Sequence, residues 1–163
     1  MRILGIDPGY GILGWSIIDD SMKLIDFGVI ETSPDIPFEN RIYEIHLSLK
    51  KIISAYSPDC VAIEKLFFAK NTKTALNVAK AIGAIILTLK MSGLDYFEYT
   101  PTQVKQALTG FGRASKNQMQ CMIMKIFKIK EIPEPDDAAD ALAVALCHSF
   151  SNRHPGLGIN QGC

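Results

Sequence analysis

An α/β fold with a mixed five-stranded sheet is predicted by three features of the chain. Three strand-like segments joined by short turns fill the first 31 residues, the mark of an antiparallel meander. From Phe38 onward, helical periodicities alternate with two short apolar runs, at residues 60–63 and 94–99, which read as strands joined by helices. Two of the apolar runs end in a carboxylate, Asp7 and Glu64.

The first strand is Arg2 to Asp7, stopped by Pro8-Gly9. Asp7 at its end is either a turn-capping side chain or one member of a polar site. Gly11 to Ile18 is the second strand, Asp19-Asp20-Ser21 a hairpin turn, and Lys23 to Glu31 the third strand. After a loop at 33–37, Phe38, Ile42, Ile45, Leu49, Ile52, Ile53 and Tyr56 recur at helical spacing, and Ser57-Pro58 ends that helix. Cys60 to Ile63 is a buried parallel strand that delivers Glu64 as the first strand delivers Asp7.

Residues 71–91 form a long helix that is apolar on more than one face. Either the monomer buries it wholly or a second subunit covers part of it. Leu94 to Tyr99 is the last strand. Thr100-Pro101-Thr102-Gln103 and Ser115-Lys116-Asn117-Gln118 are capping boxes opening two helices. Between them, Gly110-Phe111-Gly112-Arg113 is a basic loop carrying an aromatic ring. A final helix begins near Asp136 and runs to about Phe150. Residues 1–150 are expected to form one domain, and 151–163, with Pro155 and three glycines after it, a frayed tail.

At 48% hydrophobic and 21% charged residues, the composition is that of a soluble globular protein. No uncharged apolar run approaches the roughly 18 residues of a membrane span, so none is expected, and the N-terminus does not read as a signal peptide; the expected location is the cytoplasm. Cys60, Cys121, Cys147 and Cys163 lack metal-type spacing; the first three sit in apolar segments and read as reduced core thiols.

The net charge of zero conceals a strong segregation. Residues 65–130 hold eleven Lys and Arg against the two acids Asp95 and Glu98, and the flanks hold six against fifteen. The middle is thus +9 and the flanks −9. Solvated helix faces or a polyanion partner would each produce that pattern.

Asp137 and Asp140 lie three apart in the first turn of the last helix, on one side of it and at its positive end. Asp136 beside them is expected to cap the helix. Asp7 and Glu64 would end neighbouring strands, and a helix crossing those ends would add Asp137 and Asp140. Four gathered carboxylates raise one another's pKa values, and divalent cations relieve the repulsion. Mg²⁺ prefers such oxygen ligands, and two ions about 3.5–4 Å apart suit phosphodiester hydrolysis.

The runs GIDPGYGILGWSIID, AIEKLFFAKN, TPTQVKQALTGFGRASKNQMQ and PDDAADALAVALCH occur in that order. Together they closely resemble the RuvC family, the bacterial Holliday-junction resolvases of the RNase H and retroviral-integrase superfamily. The resemblance spans about residues 1–150. It implies an RNase H-like sheet flanked by helices on both faces. It implies a homodimer that resolves four-way DNA junctions in recombination and repair. Two symmetric nicks in strands of like polarity would leave 5′-phosphate and 3′-hydroxyl ends. By resemblance, Asp7, Glu64, Asp137 and Asp140 are the catalytic acids and hold two Mg²⁺, for which Mn²⁺ would substitute. Phe67 or Phe68 would stack at the junction centre. Lys105 and Lys116 would contact DNA and support catalysis, with Lys70, Lys73 and Arg113 as further backbone contacts. The branch-migration proteins RuvA and RuvB are the implied partners.

Two other readings compete. Asp7-Pro8-Gly9-Tyr10-Gly11 before a hairpin also resembles the phosphate loop of actin-like ATPases and sugar kinases, but those need two such domains and this chain has length for one. A junction-binding protein without catalysis would be expected to have lost an acid, and all four are present.

Overall fold

The computed structural model describes residues 1–65 and 72–153. The expected base-stacking residues Phe67 and Phe68, the contact Lys70 and the tail beyond Arg153 lie outside the described residues, as does the Lys73 side chain.

Five strands form one sheet: β1 (Arg2–Asp7), β2 (Ile12–Asp19), β3 (Leu24–Glu31), β4 (Cys60–Glu64) and β5 (Tyr96–Tyr99). Their order is β3-β2-β1-β4-β5. β1, β2 and β3 pair antiparallel, while β4 runs parallel to β1 and β5 parallel to β4. The helices are α1 (Phe38–Tyr56), α2 (Thr72–Met91), α3 (Pro101–Thr109), α4 (Lys116–Phe127) and α5 (Asp136–Arg153). Both expected capping boxes form, at Thr100 and Ser115.

Strand alternation divides the core in two. Leu4, Ile6, Leu13, Ile17, Val61 and Ile63 pack against α1 and α2 through Ile45, Leu49, Ile85 and Leu89. Ile3, Ile18, Cys60 and Ala62 face α5, behind which α3 and α4 contribute Val104, Leu108, Met119 and Ile123. Each fully buried aliphatic side chain contributes about 1.5–3 kcal/mol. With a period of two, Asp7 follows Ile3 and Gly5, and Glu64 follows Cys60 and Ala62, so both acids fall on the α5 face.

α5 lies flat on that face because both surfaces are small. Ala138, Ala139 and every residue from Ala141 to Cys147 are buried. A β-carbon on Gly5 would overlap the Ala141 carbonyl, and one on Gly14 would overlap the Asp137 carbonyl. Ser16 Oγ donates to the Ala141 carbonyl at 3.0 Å, which pins the helix along the sheet.

Three expectations are corrected. Cys121 is exposed on α4, since apolar neighbours in sequence do not fix which face a helical cysteine takes; Cys60 and Cys147 are buried and unpaired. Asp136 is the first helical residue and its carboxylate turns to Lys116 instead of capping. α5 continues to Arg153, past the expected end, because Ser151 Oγ donates to the Cys147 carbonyl and Asn152 bonds His148. Among the described residues no helix is long and apolar enough to cross a membrane.

Candidate active site

The parallel strands β1 and β4 both end at the same edge of the sheet, where α5 begins. Ile6 pairs with Ile63, so Asp7 and Glu64 extend side by side from neighbouring strands. Across the other ladder Asp7 pairs with Gly14, and the Asp137 backbone sits on Gly14. The first turn of α5 is thereby brought over the end of β1, carrying Asp137 and Asp140 toward Asp7 and Glu64.

The electrostatics record the convergence. The Asp7 pKa is raised to about 8, first by burial and then by the negative charges of Glu64, Asp140 and Asp137. Burial and Asp140 raise Glu64 to about 7, against the opposing pull of Lys105. Asp140 is raised by burial and partly offset by Lys116. Carboxyl groups held this far above their ordinary range favour a cation that replaces their protons.

Lys105 on α3 and Lys116 on α4 face the acids across a cleft of about 250 Å³ lined by Glu64, Val104, Lys105, Lys116, Met119 and Asp140. Two larger clefts along the β3 edge, one of about 790 Å³ lined by Phe27, Met124 and Ile129 and one of about 590 Å³, hold none of the four acids. Lys116 Nζ lies 2.7 Å from Asp136 Oδ2 and 3.9 Å from Asp140 Oδ2, and the bond to Asp136 chiefly raises its pKa. Arg113 is exposed on the loop before α4, beside Phe111, whose ring is 72% exposed.

Among the described residues, no three His, Cys, Asp or Glu side chains close into a ready-made cation cage. The acids are near enough to perturb one another and too spread to chelate as a preformed set. That arrangement fits a hard divalent cation that takes one or two carboxylates and completes its shell with waters and substrate phosphates. The all-oxygen donor set suits a hard cation and not a soft one.

The family model for crossover junction endodeoxyribonuclease RuvC matches residues 3–148, which takes in both strand-end acids and the Asp137–Asp140 pair. The chain belongs to the RuvC family. The crossover junction endodeoxyribonuclease RuvC of Caldicellulosiruptor saccharolyticus is 51% identical over 156 residues, covering 93% of this chain and 94% of that one. The RuvC structure from Thermus thermophilus superposes with a TM-score of 0.87 at 36% identity, over 95% of this chain and 97% of that one. The same Thermus protein in complex with a Holliday junction substrate gives a TM-score of 0.90 at 36% identity, over 95% and 96% of the two chains. The chain therefore shares the fold of these RuvC structures over nearly all of its length, and the expected RNase H-like architecture is borne out.

Sequence reasoning passed over two cation–ring pairs at the loop that follows β1. Arg41 stacks on the Tyr10 ring, and Lys80 lies over Phe38. Arg41 sits in an acidic flank, so counting charge by segment hid it.

Proposed function

We propose that this chain is a Holliday-junction resolvase that cuts four-way DNA junctions by metal-dependent hydrolysis. The observation that carries the reading is the gathering of Asp7, Glu64, Asp137 and Asp140 at one sheet edge, facing Lys105 and Lys116. The four acids would hold two Mg²⁺, or Mn²⁺ in its place. Bound there, the ions supply a nucleophilic water and neutralise charge on the scissile phosphate.

The protein's own groups do the rest. Asp7 and Glu64, fixed on strands, and Asp137 and Asp140, fixed on α5, set where the reacting phosphate lies. Lys116 stands at the first turn of α4, whose backbone N–H groups favour a phosphate. Together with Lys105 it offsets the negative charge that builds during in-line displacement. The expected products are a 5′-phosphate and a 3′-hydroxyl. Lys70, Lys73 and Arg113 would grip the backbone, and Phe67 or Phe68 would stack on bases at the junction centre.

Symmetric nicking requires two copies. Leu76, Gly83, Leu87 and Met91 share one exposed stripe of α2, with Leu76, Leu87 and Met91 61–70% exposed. Exposed Tyr43 and Leu47 of the neighbouring α1 add to it. We assign this surface to the homodimer contact. RuvA and RuvB are the expected branch-migration partners, and the cytoplasm the expected site of action.

Family membership through residue 148 decides against the phosphotransferase reading. A labelled four-way junction with Mg²⁺ and no ATP tests the function. Paired, ligatable nicks are expected, lost in Asp7→Asn with junction binding retained. Binding without cutting in either Mg²⁺ or Mn²⁺ would make the chain a binding module.

A further inference from the structure

The loop that follows Asp7 carries a fixed cationic feature on the sheet face opposite Lys105 and Lys116. The Arg41 guanidinium lies over the Tyr10 ring, 4.7 Å from its centroid. Tyr10 meets Phe38 edge-on at 5.7 Å, and Lys80 Nζ stands 5.7 Å from the Phe38 centroid. Two aromatic rings thus form a pedestal with a cation at each end.

The pedestal is locked to the loop. Arg41 Nε donates to Thr32 Oγ1 at 2.8 Å and Nη2 to the Thr32 carbonyl at 3.4 Å. Thr32 Oγ1 in turn donates to the Tyr10 carbonyl at 2.6 Å, and the Thr32 N–H to the Gly11 carbonyl at 2.9 Å. These contacts use two of the five N–H donors of Arg41. Among the described residues neither Arg41 nor Lys80 is ion-paired to a carboxylate. A guanidinium held over a ring, with donors to spare and no ion pair among the described residues, is preorganised for a phosphate.

Its position fits one substrate. Tyr10 is three residues past Asp7, within about 11 Å along the chain. α1 and α2 supply Arg41 and Lys80 on one side of the sheet edge, while α3 and α4 supply Lys105 and Lys116 on the other. We propose that Arg41 and Lys80 form a second phosphate-binding step. It holds the DNA backbone a few nucleotides from the scissile phosphate, on the side of the acids away from Lys105 and Lys116. This rests on the resolvase reading and adds the path of the strand across the site.

The experiment is the salt dependence of junction binding, measured in EDTA with a labelled four-way junction between 50 and 200 mM salt. Each phosphate contact adds about 0.9 to the slope of log affinity against log salt, or about threefold in affinity across that range. Arg41→Ala and Lys80→Ala are each expected to flatten the slope by about one contact, and the double variant by about two per protomer. Lys51→Ala, an exposed lysine elsewhere on α1, is expected to leave it unchanged. Arg41 also braces the loop, so Arg41→Ala could misfold; Lys80 makes no side-chain hydrogen bond among the described residues, and Lys80→Ala then decides. Weaker binding with an unchanged slope in both variants would make the pedestal a structural brace and overturn the proposal. An equal loss in Lys51→Ala would overturn it as a diffuse field effect. If Lys105→Ala flattens the slope and these two variants do not, this step alone falls. If the unsubstituted protein does not bind the junction, the resolvase reading falls with it.

Discussion

The Asp137 carbonyl occupies the space that a side chain on Gly14 would need, and Gly14 is the residue paired with Asp7 across the β1–β2 ladder. One glycine therefore sets the approach of α5 to the strand that carries Asp7. Gly14→Ala is expected to destabilise the fold by about 1–3 kcal/mol through overpacking. It should also slow nicking more than it weakens junction binding, because the displaced turn carries Asp137. Urea unfolding beside nicking and binding assays checks this; equal losses of nicking and binding would detach Gly14 from site geometry.

A second prediction follows from the raised carboxyl pKa values. In the folded protein Asp7 titrates near 8 and Glu64 near 7, against ordinary values of 3.8 and 4.5. Between those limits the folded state keeps protons that the unfolded chain has released. Stability conferred by the protonated forms is thus full at low pH and falls as pH rises through the folded values. In EDTA the protein is expected to be less stable at pH 8 than at pH 5 by on the order of a few kcal/mol. Mg²⁺ should restore most of the loss at pH 8 and little at pH 5, where protons hold the ligand positions. Asp7→Asn should flatten the EDTA profile. Urea midpoints across this range in EDTA decide it, and a flat profile for the unsubstituted protein would contradict it.

The sheet and the acids were legible because their signals are local. Apolar runs that end in a carboxylate, strand alternation and the three-residue spacing of Asp137 and Asp140 need no tertiary information. The partners of side chains were not legible. Asp136 reads as a cap, yet Lys116 on a distant helix takes its carboxylate. Cys121 reads as core, yet α4 turns it outward. Arg41 reads as one cation in an acidic flank, and only the fold places it on Tyr10. Gly5 and Gly14 read as small strand residues, and only the packing of α5 explains them.

His148 carries a prediction away from the acids. It is fully buried, and its ring bonds Tyr99 Oη at 2.7 Å through Nδ1 and Asn152 Nδ2 at 2.9 Å through Nε2. Cys60 Sγ lies 3.3 Å from Nε2, and Phe97 packs on the ring. With Nε2 accepting from Asn152, the neutral ring keeps its proton on Nδ1, toward Tyr99. Burial lowers its pKa from 6.5 to about 4. The unfolded chain therefore gains a proton at this histidine first as pH falls, and the contribution of His148 to stability is lost between pH 6.5 and 4, against the gain from Asp7 and Glu64. His148→Phe should cost about 1–3 kcal/mol at pH 7 by leaving the buried Tyr99 hydroxyl without its partner. It should also remove that part of the acid limb. Thermal melts from pH 7 to 4 test both; an unchanged limb would mean that other groups produce it.

Lys116 separates binding from chemistry. Its ammonium sits 2.7 Å from Asp136 and 3.9 Å from Asp140, half exposed at the first turn of α4. Exposed ion pairs of this kind contribute about 0–1 kcal/mol, so Lys116→Ala should fold almost normally. A single backbone contact is worth only about threefold in junction affinity across ordinary salt. A fixed positive group at the reacting phosphate is worth about 10²–10³ in rate. Nicking by Lys116→Ala should therefore fall far more than binding. Asp136→Asn, which loosens the anchor and keeps the lysine, should give a smaller loss of rate. Single-turnover nicking on saturating junction, compared with affinity in EDTA, measures the two separately. Equal losses in Lys116→Ala would reduce the lysine to a backbone contact, and full activity would remove it from the site.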